Sequence, residues 1–161
     1  MATKKKKASN EGAISSPAAR TTADHVDGAI VALAFDAERR LHAIDGQGRV
    51  LRLAEDGDRF ATARVLHEGD PATALAACGE RVVAAIGAHL VVFGTDGTRE
   101  ATGEVKAGPV AALVVRGETV FALGGGYVTR YELEGNRLVA GSRVKHGAGV
   151  AFDLDLDDSA K

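Results

Sequence analysis

Apolar residues between positions 28 and 154 occur in short runs rich in Val, Leu, Ile and Ala, and glycine or acidic residues separate these runs. Short apolar runs bounded by turn residues are typical of β-strands, whereas an amphipathic helix repeats apolar residues every three or four positions over a longer window. No window of the chain has that helical pattern. The pattern therefore predicts an all-β chain.

One apolar run occurs four times at a regular interval. Its aligned positions are separated by 42, 38 and 39 residues. Self-similarity at a period of roughly 40 residues indicates one repeated supersecondary unit. The aligned segments are Gly28–Phe35, Asp70–Ala77, Gly108–Val115 and Gly147–Phe152, and the aligned positions are Leu33, Leu75, Leu113 and Phe152.

The second half of each unit agrees across the first three units. A β-rich segment is followed by an acidic residue, a glycine and, two positions later, an arginine. This pattern predicts a hairpin, because glycine accepts the positive φ that hairpin turns need. The glycines are Gly57, Gly97 and Gly135, and the arginines are Arg59, Arg99 and Arg137.

Each complete unit has four short predicted strands, which is typical of a β-propeller blade. We expect blades at about residues 28–67, 70–106 and 108–145, and an extra strand at 148–154 that is the first of a fourth blade. A small β-sandwich or barrel is the alternative, since it also uses short strands with evenly spaced turns. The predicted strands are 29–35, 40–44, 49–53, 60–66, 72–77, 81–86, 89–93, 100–106, 110–115, 119–123, 127–131 and 137–144.

The first unit resembles a WD-repeat blade in Leu41, Asp45-Gly46-Gln47-Gly48 and Val50-Leu51-Arg52-Leu53. Asp70-Pro71 and Gly108-Pro109-Val110 resemble the start of that family's innermost strand. The resemblance covers about residues 28–152 and implies a propeller that serves as a scaffold for protein complexes. The family's Gly-His pair is missing at 25–26, 67–68 and 105–106, and its Trp-Asp pair is missing at 53–54, 93–94 and 131–132. A quinoprotein-like or other propeller lineage therefore stays open.

Three blades are too few for a ring, because propellers close with about four to eight. Exposed blade faces would mark an interaction surface. We therefore expect a partial ring that is completed by a second copy, giving six blades, or by the blades of another chain. Val150, Phe152 and Leu154 on the extra strand are expected contacts, because a free strand can add to an open sheet edge. A piece of a longer propeller would show the same pattern.

The charges of this 161-residue chain are unevenly distributed around a net charge of −2. Residues 1–27 contain Lys4, Lys5, Lys6 and Lys7 and little that a core could bury, so we expect a disordered basic tail. Residues 156–161 are expected to form an acidic tail. The lysine run is a candidate contact for nucleic acid or another polyanion, and the alternative is a solubilising terminus. The net charge argues against nucleic-acid binding by the whole domain.

Localisation follows from what the sequence lacks. No apolar stretch follows the lysines as in a secretory signal, and no apolar run approaches the ~20 residues of a membrane helix. The one cysteine, Cys78, excludes an intramolecular disulfide. We therefore expect a cytoplasmic protein without membrane contact.

Candidate chemistry is sparse. The five histidines have no spacing typical of a metal site. The acidic run Asp153–Asp158 has no glycine of a calcium loop. His67, Glu68, Lys106 and His146 fall in connections before innermost strands, so we expect them on one rim, where they could contact a partner. The sequence thus predicts no catalytic site, no cofactor and no metal.

These observations favour a non-catalytic protein–protein interaction or scaffold module that assembles a propeller ring with a second copy or another chain. Two alternatives stay open: a ligand- or metal-binding propeller enzyme subunit, and a nucleic-acid tether through the lysine tail. The enzyme would need polar residues at ring-inner positions. The sequence instead has alanine there, at Ala32, Ala34, Ala74, Ala76 and Ala112.

Overall fold

The computed structural model of the protein describes residues 28–106 and 108–146, which form twelve strands. The strands are β1 (Ile30–Phe35), β2 (Leu41–Asp45), β3 (Val50–Asp56), β4 (Arg59–His67), β5 (Ala72–Cys78), β6 (Arg81–Ile86), β7 (His89–Phe93), β8 (Arg99–Glu104), β9 (Val110–Arg116), β10 (Thr119–Gly124), β11 (Tyr127–Glu134) and β12 (Arg137–Lys145).

The strands form three antiparallel meanders, β1–β4, β5–β8 and β9–β12, and within each meander every strand pairs with the next. We call β1–β4 blade 1, β5–β8 blade 2 and β9–β12 blade 3. The predicted all-β fold with three four-stranded blades is confirmed. The described part of the chain contains no helix that is long and apolar enough to cross a membrane.

Strands β3 and β11 run to Asp56 and Glu134, beyond their predicted ends at 53 and 131. The reason is the two-residue turn that follows each strand. Gly57 (φ 67°) and Gly135 (φ 60°) occupy its first position, where a type II′ hairpin needs a positive φ. Such a tight turn lets strand pairing continue up to the turn itself.

Each interior seam is built from two blade faces. We call the face turned toward the preceding blade the leading face and the face turned toward the following blade the trailing face. Blade 1 contributes Ile44 and Val50 from its trailing face to a core shared with the leading face of blade 2. The trailing face of blade 2 forms a second core with the leading face of blade 3, in which Tyr131 has the largest of the fully buried side chains. The core therefore lies between the blades.

An unexpected contact joins the outer strands of blades 2 and 3. Strand β12 pairs in parallel with β8 at Arg137 and Thr102, and the Thr102 N–H donates to the Asn136 carbonyl over 3.3 Å. Gly103 allows this approach, because a Cβ there would lie 2.6 Å from both the Cβ and the carbonyl oxygen of Leu138. The absence of a side chain at Gly103 thus permits the close approach of the two outer strands.

Replacing Gly103 with alanine is expected to lower the free energy of unfolding by about 2 kcal/mol, because overpacking against backbone forces the strands apart. Gly141→Ala is the matched control, since a Cβ there meets only the Arg130 carbonyl oxygen at an ordinary 3.6 Å. Urea unfolding of both variants measures the difference. Equal stability of the two variants would contradict this role of Gly103.

Candidate interaction faces

The leading face of blade 1 is one end of the described blade stack. Its centre is the buried cluster Leu41, Ala43, Leu51 and Leu53, which is separate from the two interblade cores. These four side chains are 0–7% exposed, so the centre of this face is buried within the single chain. At its margin Phe35 is 64% exposed, and Leu33, Phe60 and Val65 are exposed as well.

The trailing face of blade 3 is the other end of the stack. Strand pairing places Phe121, Leu123 and Val128 on one face, because Phe121 lies opposite Arg130 and Leu123 opposite Val128. Val144 pairs with Val128 and is 65% exposed. All the exposed large hydrophobic residues in the described part of the chain belong to the two end blades. They are Ile30, Val31, Leu33, Phe35, Phe60 and Val65 in blade 1 and Val139 and Val144 in blade 3.

The leading face of blade 1 carries the same side-chain pattern as the two leading faces that are packed inside the chain. In each blade a large residue on the second strand pairs with a large residue on the third, and an alanine lies two positions further along the second strand. The pairs are Leu41–Leu53 and Ala43–Leu51 in blade 1, Val82–Phe93 and Ala84–Val91 in blade 2, and Val120–Tyr131 and Ala122–Thr129 in blade 3.

The trailing faces of blades 1 and 3 also match each other. In both, an arginine of the third strand lies opposite an aromatic side chain, and a large aliphatic residue lies opposite valine. The pairs are His42–Arg52 and Ile44–Val50 in blade 1, and Phe121–Arg130 and Leu123–Val128 in blade 3. The blade 1 face packs on blade 2. The blade 3 face therefore has the composition of a face that receives another blade.

A groove of about 320 Å³ lies at the margin of the leading face of blade 1. Phe35, Leu53 and Phe60 give it apolar walls, and Arg39 and Glu55 are among its polar lining residues. Arg39 has a φ of 61°, an uncommon conformation for a residue with a side chain. The groove therefore combines apolar surface with an exposed cation.

A buried polar network anchors the turn between β1 and β2. The Asp36 carboxylate accepts hydrogen bonds from the Arg40 Nε–H at 2.7 Å, from the backbone N–H groups of Glu38 and Arg40, and from the His42 ring. A carboxylate can only accept, so the His42 proton lies on Nε2. The Nδ1 atom of His42 is buried and has no partner among the described residues.

These contacts determine the ionisation of the network. Burial alone raises the pKa of Asp36, but hydrogen bonds from His42 and Arg40 outweigh burial and lower the pKa to about 2. Burial lowers the pKa of His42, which is therefore neutral near pH 7. The network is therefore a turn-forming ion pair between Asp36 and Arg40 that is supported by a neutral imidazole.

Blade turns also connect neighbouring blades. The Arg40 Nη2 group donates to the Glu80 carbonyl oxygen at 2.9 Å, and the Ala37 N–H donates to the Gly79 carbonyl at 2.8 Å. At the next seam Arg81 reaches the Glu118 carboxylate at 3.5 Å. The same relation therefore recurs, in which an arginine at the start of the second strand of one blade contacts the first turn of the next blade.

Four predicted contact residues lie in the described part of the chain. His67 ends β4 and lies within hydrogen-bond distance of the Asp70 carbonyl oxygen, 2.9 Å from its Nε2 atom. Glu68 and Lys106 are exposed in the connections between blades. The His146 N–H donates to the Gly126 carbonyl at 3.2 Å. No hydrogen bond or ion pair within residues 28–106 and 108–146 joins these four to one another, and their role in partner binding stays a prediction.

A cavity of about 240 Å³ brings His67 together with residues that sequence reasoning missed. His89, Arg99 and Thr102 of blade 2 line it, and the spacing of these residues in the sequence gave no signal for the grouping. The acidic Asp70 lines it as well, so the cavity presents groups of both charges. In the described segments no three His, Cys, Asp or Glu side chains are placed to share a metal ion.

The remaining predicted contacts lie outside the described residues. They are Val150, Phe152 and Leu154 of the predicted extra strand, and Lys4, Lys5, Lys6 and Lys7 of the predicted basic tail. The two predicted tails and the extra strand therefore stay predictions.

Comparisons with known proteins identify the fold. No protein-family model and no curated protein matches the sequence. Among solved structures, the chain is similar to the β-propeller domain of Cps50 (Swd1) from Myceliophteria thermophila, with a TM-score of 0.58 and 18% identity over 71% of this chain and 38% of that one. It is also similar to a chain of the Mitotic Checkpoint Complex, with a TM-score of 0.60 and 11% identity over 77% of this chain and 41% of the other.

The computationally designed Ika4 protein is similar over about four fifths of both chains. Its TM-score is 0.60 at 18% identity, and the match covers 81% of each chain. By contrast, this chain spans about two fifths of the length of the first two structures. These similarities show that the chain has the fold of β-propeller blades.

Proposed function

We propose that this chain is a non-catalytic protein–protein interaction module that assembles a β-propeller ring with a second copy or with the blades of another chain. The observation that carries the proposal is the match between the two end faces and the packed faces inside the chain. Each end face has the side-chain pattern of a face that another blade covers.

The distribution of exposed apolar side chains supports the same function. Exposed large hydrophobic residues that cluster on a soluble domain mark interaction surfaces. Here, among the described residues, they occur in blades 1 and 3 and leave blade 2 without any. A scaffold that bound partners through its rims alone would not need apolar end blades.

The ring size also supports the proposal. Two chains of three blades give six, which falls within the range of about four to eight at which propellers close. The solved structure described as the Mitotic Checkpoint Complex, one of the similar folds, is an assembly of proteins. That neighbour supports an interaction role for the fold in general and leaves the partner of this chain to experiment.

Light scattering of the purified chain is expected to give twice the mass of one chain, which is 16.6 kDa. Phe35→Asp should reduce that mass to a single chain, because a carboxylate cannot be buried against an apolar blade face without a partner. Phe35 is exposed, so the substitution leaves the fold of the single chain intact.

Thr95→Asp is the matched control, since it adds the same charge at an exposed turn of blade 2. The control should keep the assembled mass. A wild-type chain that is monomeric in isolation and also when isolated from its native source would overturn the proposed function. A monomer that acquires a second protein in its native source would identify another chain as the partner.

A further inference from the structure

Three basic side chains form a row across blade 1, on the trailing face that packs on blade 2. Strand pairing sets His42 of β2 opposite Arg52 of β3, and Arg52 opposite Arg64 of β4. The two arginines are permanent cations, and like charges directly opposite each other destabilise a sheet. The row therefore calls for a group that compensates positive charge.

Three buried polar atoms of this row have no hydrogen-bond partner. They are Nε and Nη2 of Arg52 and Nδ1 of His42, and they are all the buried side-chain polar atoms without a partner in the described part of the chain. The His42 side chain is only 2% exposed. Buried polar groups are nearly always hydrogen-bonded, and buried charges are paired or coordinated. The unpartnered edge of Arg52 thus points to an acceptor that the chain does not itself supply.

The carboxylates nearest to Arg52 do not provide this acceptor. Asp36 already accepts four hydrogen bonds, three from its own turn and one from His42. Asp96, in the turn between β7 and β8, acts electrostatically on Arg52 and Arg64, but it is exposed and accepts hydrogen bonds within its own turn. Neither carboxylate forms a hydrogen bond with the buried edge of Arg52.

The row lies between two blades, with limited room for a ligand. A Cβ at Gly97 would lie 2.9 Å from Nε of Arg64, so the turn between β7 and β8 of blade 2 lies directly against that guanidinium group. Neither of the two cavities described above includes Arg52 among its lining residues. Arg52 is partly exposed, which connects the row to solvent. A monatomic anion needs about the space of one water molecule and therefore suits this position.

We infer that blades 1 and 2 bind a chloride ion between them through Nε and Nη2 of Arg52, and that His42 is a further donor when its Nδ1 is protonated. The inference goes beyond the proposed function and does not depend on it. A water molecule at this position would accept from Arg52 and donate to Nδ1 of neutral His42. It would leave the charges of Arg52 and Arg64 uncompensated, whereas an anion compensates them.

Anion binding and protonation of His42 should favour each other. The charged groups around His42 are Asp36 and Arg40 of its own turn, Arg52 opposite it and, beyond Arg52, Asp96 of blade 2. Burial lowers the pKa of His42, the hydrogen bond with Asp36 opposes this, and the charges of Arg52 and Arg40 lower the pKa further. A bound anion offsets the charge of Arg52 and accepts from a proton on Nδ1. Because coupling is reciprocal, the anion should bind more tightly as the pH falls.

Chloride NMR line broadening of the full chain measures the binding, with sodium gluconate holding the ionic strength constant. Arg52→Met removes the two donors and the charge, and it should raise the chloride Kd at least tenfold. Arg59→Met is the matched control, since it makes the same change at an exposed arginine, and it should keep the wild-type Kd. Broadening that Arg52→Met leaves unchanged, or a wild type without broadening, would overturn the chloride site.

The same titration at two pH values tests the part of His42. The wild-type chloride Kd should be at least threefold lower at pH 5.5 than at pH 8, because the protonated ring adds a donor. Arg52→Met should show no such dependence, which separates the site from a general rise in positive charge. A wild-type Kd that is equal at both pH values would exclude His42 as a donor to the ion.

A crystal of the wild-type chain grown in bromide locates the ion by its anomalous scattering and does not require any variant to fold. We expect a bromide ion within hydrogen-bond distance of Nε and Nη2 of Arg52. A water molecule at that place, or a direct hydrogen bond from Arg52 to Nδ1 of His42, would overturn the inference. Bromide found only at exposed arginines would overturn it as well.

Discussion

Replacing Gly48 with alanine is expected to lower the free energy of unfolding by about 3 kcal/mol and to loosen blade 1 from blade 2. Gly48 has a φ of 79°, which costs a residue with a Cβ about 1 kcal/mol. The added Cβ would also lie 2.5 Å from the Pro71 Cβ and 2.6 Å from its Cα, and overpacking of this kind costs roughly 1–3 kcal/mol. Pro71 belongs to the connection between blades 1 and 2. The overlap with the added Cβ can therefore be relieved only if these two blades move apart.

A hydrogen bond between blades 1 and 2 adds to the expected loss of unfolding free energy. The Ala72 N–H donates to the Gly48 carbonyl at 2.9 Å, so moving the turn also lengthens this bond. Gly57→Ala is the control, since Gly57 has a similar φ of 67° but a Cβ there would meet nothing within 4 Å. Urea unfolding should show a loss of about 1 kcal/mol for the control. Equal losses in both variants would show that backbone strain alone is responsible.

The positions of the strands could be predicted because the repeat provides three independent copies of one pattern. The predicted and observed bounds of β6 and β7 agree, since glycine turns limit both strands closely. The longer β3 and β11 show where prediction was less accurate, because the acidic residues before the glycine still pair across the hairpin. Local turn chemistry thus set the ends of strands whose existence the apolar pattern had indicated.

The contacts between blades could not be predicted from the period alone. Gly103 was one glycine among many in the sequence, and only the approach of Leu138 explains it. Likewise, His67 was expected on a rim, but His89 and Arg99 join it only through the packing of blade 2 beside blade 1. Such groupings depend on how far neighbouring blades are rotated, and no local residue pattern encodes that angle.

The Asp36 network could have been predicted from a residue spacing in the sequence. An aspartate precedes an arginine by four positions on both sides of β2, in Asp36–Arg40 and again in Asp45–Arg49. In both, the carboxylate accepts from the backbone N–H groups two and four positions later as well as from the arginine side chain. Repetition of this spacing identifies a turn, because an aspartate that binds its own backbone favours turns.

Replacing Asp36 with asparagine is expected to lower the free energy of unfolding by about 3 kcal/mol at pH 7. Asparagine can keep the bonds to the Glu38 and Arg40 N–H groups, but it removes the charge that pairs with Arg40 and accepts from His42. Loss of one partner leaves the other in a poorly solvated position, and removal of one side of a buried ion pair costs roughly 3–5 kcal/mol. Arg40 is partly exposed, which places the expected cost at the lower end.

The pH dependence of the stability distinguishes the contribution of the Asp36 charge from that of side-chain packing. A carboxyl whose pKa falls from 3.8 in the unfolded chain to about 2 in the folded one stabilises the fold above pH 4. By linkage this contribution is about 2 kcal/mol, and it disappears as the pH falls from 4 through 2. The difference between wild type and Asp36→Asn in urea unfolding should therefore narrow over that interval.

Asp96→Asn provides the control, because Asp96 forms a similar turn with the Thr98 N–H and hydroxyl but is exposed. Its replacement should change stability little at any pH. If Asp36→Asn kept its full cost at pH 2.5, the cost would come from packing of the amide rather than from the ion pair. Because Arg40 also donates to the Glu80 carbonyl oxygen of blade 2, loss of the ion pair should loosen the packing of blade 1 on blade 2 as well.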